Sequence, residues 1–120
     1  MARTPTAFRL CSNSEWQEFE AKKEYDGTKM DKDDGFIHLS TAAETRKTAS
    51  LYFKGSTDLY YFEVDLAQLG DNIKWDMVEK RQAEFPHVYN TSIPLSAVLS
   101  HGPIPVGDDK EFVFPPSMSL

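Results

Sequence analysis

The sequence predicts an α+β fold, built from a bent or split, mostly antiparallel sheet and two main helices. Two capping-box patterns, Ser12 with Glu15 and Thr41 with Glu44, each precede apolar residues at helical spacing. Six or seven short apolar, aromatic or β-branched runs read as strands. Strands in that excess do not fit a regular βαβ repeat, which leaves α+β as the class.

Ala7 to Cys11 is the first expected strand. After the Ser12 cap, Trp16 and Phe19 share one face of the first helix, which fades at the Tyr25-Asp26-Gly27 turn signal. The polar stretch from Lys29 to Gly35 reads as a surface loop. An EF-hand reading of Asp31-Lys32-Asp33-Asp34-Gly35 fails, because the glycine comes one place early and Ala42 stands at the twelfth place. Phe36, Ile37 and Leu39 then form a buried strand, and Ser40 or Thr41 caps the second helix, with Ala42, Ala49, Tyr52 and Phe53 on its apolar face and Gly55 at its C-terminal cap. Leu59 to Val64 is the clearest strand, with Asp65 capping a short turn after it, and Ile73 to Val78 is another. Glu79 to Glu84 reads as a solvated loop leading to Phe85-Pro86-His87-Val88-Tyr89. Ile93-Pro94-Leu95 suits a turn, Val98 to Ser100 a strand, and Phe112-Val113-Phe114 a closing strand. Trp16, Phe19, Tyr52, Phe62 and Val64 are the expected core.

With 120 residues, 40% of them hydrophobic, the chain suits a single domain over 1–120 with one core. A formal net charge of -6 argues against nonspecific nucleic-acid binding, which needs clustered Lys and Arg in excess. The single Cys11 allows no internal disulfide, and its expected place is in the core. The N-terminal Met-Ala-Arg-Thr-Pro-Thr lacks a secretory apolar stretch and no run reaches membrane-spanning length, so no membrane partner and a cytoplasmic location are expected.

His38 carries most of the functional signal. It sits in an apolar run that ends in Ser40 and Thr41 at a helix start, where unpaired backbone N–H groups favour anionic or strongly polar ligands. The segment around His87 repeats the theme. Two-residue spacing puts His38 with Ser40, and His87 with Tyr89, on common strand faces. Arg9, His38, Ser40 and His87 are therefore expected in one cleft. A metal needs a third ligand, and His101 lies in a loop-like segment with no reason to converge. No G-x-S-x-G elbow, P-loop or G-x-G-x-x-G fingerprint occurs.

The pair D-G-F-I-H-L-S-T and F-P-H-V-Y, with F-R-L on the first strand, F-E-V-D-L-A-Q-L-G between them and W-D after it, resembles the domain of unknown function 952 family. The resemblance covers about 8–106. That family is similar in turn to the ADP-ribosyltransferase fold and to the RNA 2'-phosphotransferases, whose histidine-bearing segment and following strand match Ile37-His38-Leu39-Ser40 and Val64-Asp65-Leu66-Ala67. The resemblance implies an ADP-ribosyltransferase-like fold and a nucleotide-like small-molecule partner, NAD or an ADP-ribose-like ligand, with an ADP-ribosyl- or phosphoryl-transfer activity. In that picture Arg9 contacts phosphate or ribose, His38 bonds a ribose hydroxyl, Ser40 and Thr41 address an amide, and Tyr89 stacks on a planar ring. His38 and His87 are then the catalytic candidates, His87 as general acid or base. No glutamate matches the one that orients the acceptor in such transferases; Glu84 is the nearest. The competing class is a noncatalytic binding or interaction module whose histidines are structural.

Overall fold

A computed structural model describes residues 4–118; Met1 to Arg3, part of the N-terminal stretch discussed above, lie outside the described residues. The chain runs β1 (Thr6–Ser12), α1 (Asn13–Lys22), β2 (Glu24–Tyr25), α2 (Lys29–Asp34), β3 (Ile37–His38), α3 (Ala42–Tyr52), β4 (Leu59–Asp65), β5 (Ile73–Val78), β6 (Ala83–Val88), β7 (Ile93–Pro94) and β8 (Val98–Pro103). The class is α+β, and every strand pair is antiparallel.

Two three-stranded sheets, ordered β1-β4-β8 and β3-β6-β5, make the framework, and β2 and β7 form a separate pair. The split is hinged on the chain just after His38. Ile37 and His38 pair with Val88 and His87, whereas Ser40 has already crossed to Phe8 of β1. Ser40 exchanges both backbone bonds with Phe8, at 2.7 and 2.9 Å. One short segment thus ties the two sheets together and carries His38 at the junction.

Strand alternation sorts the core into two clusters. Ala7 and Cys11 of β1 and Phe62 and Val64 of β4 turn towards Trp16 and Phe19 of α1 and Ile37 and Val88 of the second sheet. Phe8, Leu10, Leu59 and Tyr61 point the other way, towards Ala49 of α3, Ile104 and Met118. The Ser12–Glu15 capping box forms as expected. Thr41 caps α3, its hydroxyl accepting from Glu44 N at 3.4 Å.

Several expectations are corrected. Lys29–Asp34 is helical, because Thr28 and Asp31 complete a capping box and Gly35, at φ 88, ends the helix in the left-handed region. Tyr52 is 63% exposed. The buried stripe of α3 descends through Thr45 and Ala49 towards Phe53, four residues apart, and one residue is a rotation of about 100°. Gly55 is not the α3 cap; Phe53 holds that place. Ile93–Pro94 pairs with β2 instead of turning, and His101 lies within β8. Phe112 makes a single bridge to Val106, with no closing strand. Arg81, in the β5–β6 turn, is only 13% exposed and donates to the Glu44 carboxylate at 3.1 Å, so this turn is docked on α3.

Candidate functional site

The geometry around His38 starts from Asp31, which lies in α2 and not in the surface loop that its sequence surroundings suggest. Its side chain is 1% exposed, and a carboxylate so placed must be paired and hydrogen-bonded. Arg9 meets it through two nitrogens, both at 2.8 Å. Thr28 gives its backbone N–H at 2.6 Å and its hydroxyl at 2.9 Å to Oδ2. The remaining donors come from His38: backbone N–H at 3.1 Å and Nδ1 at 2.6 Å, both to Oδ1. Burial by itself would push the Asp31 carboxyl up, but the bonds from His38 and Arg9 and the guanidinium charge hold it well below the usual carboxylate range. The approach is close enough that only glycine fits before Thr28: at Gly27, with φ 92, an added Cβ would lie 2.8 Å from Asp31 Cβ.

Arg9 also donates to the His38 carbonyl at 2.9 Å and lies over the Tyr25 ring. Its guanidinium therefore fixes both the carboxylate behind His38 and the backbone of β3. The other side of the imidazole is held too, since Nε2 lies 2.9 Å from Oδ2 of Asp34, the last residue of α2. Thr41 is engaged as the helix cap. Ser40, with Arg9 and His38, lines a cavity of about 130 Å³ that Thr45, Thr48 and Met30 help to close. A space of this size encloses one ring or small polar group, against about 300–1,000 Å³ for pockets that engulf a drug-sized ligand.

His87 is the direct cross-strand neighbour of His38, with Lys74 opposite it on β5. The two imidazoles lie 5.3 Å apart edge to face. Phe36 stacks on His87 at 4.2 Å, leaving its side chain 4% exposed. Its Nδ1 donates to Asp76 Oδ2 at 2.8 Å, and the Tyr89 hydroxyl donates to the same oxygen at 2.6 Å. His87 and Tyr89 thus share a strand face, as their spacing suggested. Burial lowers the His87 pKa from the usual histidine value, more than the Asp76 carboxylate raises it. The bond from Tyr89 leads in holding Asp76 below its ordinary range. The Tyr89 ring contacts Phe36, and Lys74 Nζ stands 5.1 Å from its centroid.

Arg9, His38 and Ser40 thus share one cavity, and His87 stands beside it behind His38, absent from the lining. Asp31, Asp34, Asp76 and Phe36 were not foreseen. Two signals could have found the first and third: Thr28 three residues before Asp31, and Asp76 in step with the strand face opposite His87. Among the described residues no group of three or more His, Cys, Asp or Glu side chains is arranged to hold a metal ion. No helix among them is long and apolar enough to cross a membrane.

The sequence matches the family model described as protein of unknown function (DUF952) over residues 10–101, which spans both histidine segments. The chain belongs to the DUF952 family. A crystal structure of CC0527 from Caulobacter crescentus superimposes on this DUF952 chain with a TM-score of 0.80 at 29% identity, covering 90% of this chain and 93% of that one. The solution NMR structure of CC0527 gives a TM-score of 0.78 at 29% identity, over 90% and 91% of the two chains. No curated protein matches the chain.

Proposed function

We propose that the His38–His87 junction is a binding site for a nucleotide-derived small molecule of the NAD or ADP-ribose kind, with His87 as the proton-transfer group of an ADP-ribosyl- or phosphoryl-transfer reaction. One observation carries this reading: two imidazoles, directly opposed on neighbouring strands, are each oriented through Nδ1 by an aspartate. A carboxylate accepts only, so Nδ1 of each ring carries the hydrogen. His87, its pKa lowered by burial, is neutral at pH 7, and its Nε2 lone pair is the basic position. Carboxylates behind both rings are expected of groups that must hold one orientation while protons move.

Ser40 lines the small cavity beside His38. That space fits only the ring-sized end of a nucleotide, so the remainder lies on the open face. Arg9 is a positioning residue in this reading, because its donors are turned to Asp31 and the His38 carbonyl rather than to a phosphate. Tyr89 likewise acts through Asp76, and Thr41 through the start of α3.

Thermal denaturation with NAD, ADP-ribose, mononucleotides and 2'-phosphorylated RNA ends tests the site, since a native-state ligand at 100 times its Kd adds about 2.7 kcal/mol of stability. At least one of these is expected to raise Tm, and His38→Ala should weaken its binding by about 1 to 3 kcal/mol. No rise with any of them, or a His38→Ala protein that binds as the wild type does, overturns the reading.

A noncatalytic binding module is the second reading. The observation in its favour is the burial of His87 under Phe36. Under that reading a ligand binds without turnover, and His87→Gln leaves its affinity unchanged.

A further inference from the structure

Asp34 stands where a ligand group addressed by His38 Nε2 has to stand. Its Oδ2 is 2.9 Å from that nitrogen, and its side chain is 47% exposed, whereas the Asp31 carboxylate on the other side of the ring is 1% exposed. Helix stability does not explain the residue. Asp34 closes α2, and the C-terminal end of a helix carries partial negative charge that disfavours a carboxylate. Nor does the turn require it, because Gly35 at φ 88 supplies the left-handed conformation that ends the helix.

Two part-exposed carboxylates also stand on the open side of the two imidazoles. The guanidinium of Arg9 is committed to Asp31, while Asp34 and Asp76, 47% and 37% exposed, face solvent. Lys74, over the Tyr89 ring, is a nearby cation. A phosphate approaching His38 Nε2 meets a carboxylate within about 3 Å of the nitrogen it must reach. Its ionised oxygens only accept, so each of them repels the Asp34 carboxylate instead of satisfying it. A hydroxyl both donates and accepts. With the Asp34 side chain turned outward from its 2.9 Å contact, the hydroxyl can bridge the two, accepting from Nε2–H when both ring nitrogens carry hydrogen and donating to Asp34, without bringing two like charges together.

We propose that Asp34 determines the ligand specificity of this site: it bars anionic groups from His38 Nε2 and admits an uncharged hydroxyl that donates to the carboxylate. The assignment rests on the reading of the His38–His87 junction as a ligand site, and it adds that the phosphates of a nucleotide-derived ligand lie away from His38.

The test uses inorganic phosphate and D-ribose, neither of which requires the nucleotide to have been identified. The imidazole resonances of His38 are followed by NMR during titrations of the wild type, Asp34→Asn and Asp34→Ala, all three checked for intact folding by their spectra. Phosphate is expected to bind at His38 about fivefold more tightly in both variants than in the wild type, the scale of removing one like charge at about 4 Å in a solvated setting. Ribose at high concentration should shift the wild-type His38 resonances and lose most of that effect in Asp34→Ala. A phosphate Kd common to all three proteins overturns the proposal, and so does a wild-type His38 that ribose does not perturb. Failure of the nucleotides to bind the wild type alongside a positive phosphate result would instead reject the nucleotide reading and leave the charge rule for Asp34 standing.

Discussion

At the scale of single residues, Asp31 organises the site. It accepts from Arg9, Thr28 and His38, and those donors come from three separate stretches of the chain. A buried ion pair of this kind adds little net stability compared with apolar packing, yet losing one member is costly, because the partner is left charged and unpaired. Asp31→Ala is therefore expected to destabilise the protein by about 3–5 kcal/mol, stranding Arg9 at 10% exposure. The double change Arg9→Met with Asp31→Leu should recover part of that loss, since it removes both charges. Chemical denaturation of the single and double variants measures the difference. A double variant less stable than Asp31→Ala would show that the pair contributes more than its own neutralisation.

At the scale of elements, α2 is the piece that makes the site. It is six residues long and is capped at Thr28, and it sends Asp31 to one side of the His38 ring and Asp34 to the other. Helices this short are not stable alone, so the cap and the tertiary bonds of Asp31 have to hold it. Thr28→Ala should cost about 1 kcal/mol of global stability and speed amide exchange at Asp31 and Phe36. Exchange rates unchanged at those amides would mean that the Arg9–Asp31 pair, and not the cap, fixes the helix. The same shortness explains why the sequence reading missed it. Six residues give too little periodicity, and Asp31-Lys32-Asp33-Asp34 has the composition of a solvated loop. The deciding partner, Arg9, is 22 residues away. By contrast, α1, α3, β4 and β5 were legible from the Ser12 and Thr41 caps and the apolar periodicity within each segment, although Gly55 and Tyr52 misplaced the end and the buried face of α3. Of the site, His38, Ser40, His87 and Tyr89 could be singled out from local pattern. The carboxylates that orient them leave weaker marks, Thr28 three residues before Asp31 and Asp76 in step with the strand face opposite His87, because a paired aspartate looks no different in sequence from a solvated one.

At the scale of the whole molecule, the buried titratable groups predict how stability falls with acid. The Asp31 pKa is lowered in the folded protein, so the stability it contributes is present above the ordinary aspartate value of about 3.9 and is lost as pH falls towards its folded value. His87 acts in the same direction at higher pH. Burial lowers its pKa below 6.5, so on acidification the unfolded chain takes up the proton first. Its contribution is complete above about 6.5 and declines as pH falls towards the folded value. The groups facing it are Asp76 at Nδ1 and the His38 ring, with Asp34 beyond. Acid unfolding should therefore proceed in two stages, a shallow decline beginning near pH 6.5 and a steeper one below about pH 4. One proton bounds the first stage at about 1.4 kcal/mol per pH unit. Urea denaturation across this range for the wild type and His87→Gln isolates the histidine, because glutamine keeps a polar side chain but does not titrate. The variant is expected to start less stable and to show a flatter profile between pH 7 and 5. The same slope in both proteins would assign the first stage to other groups and leave His87 without the burial-lowered pKa on which the proposed base role depends.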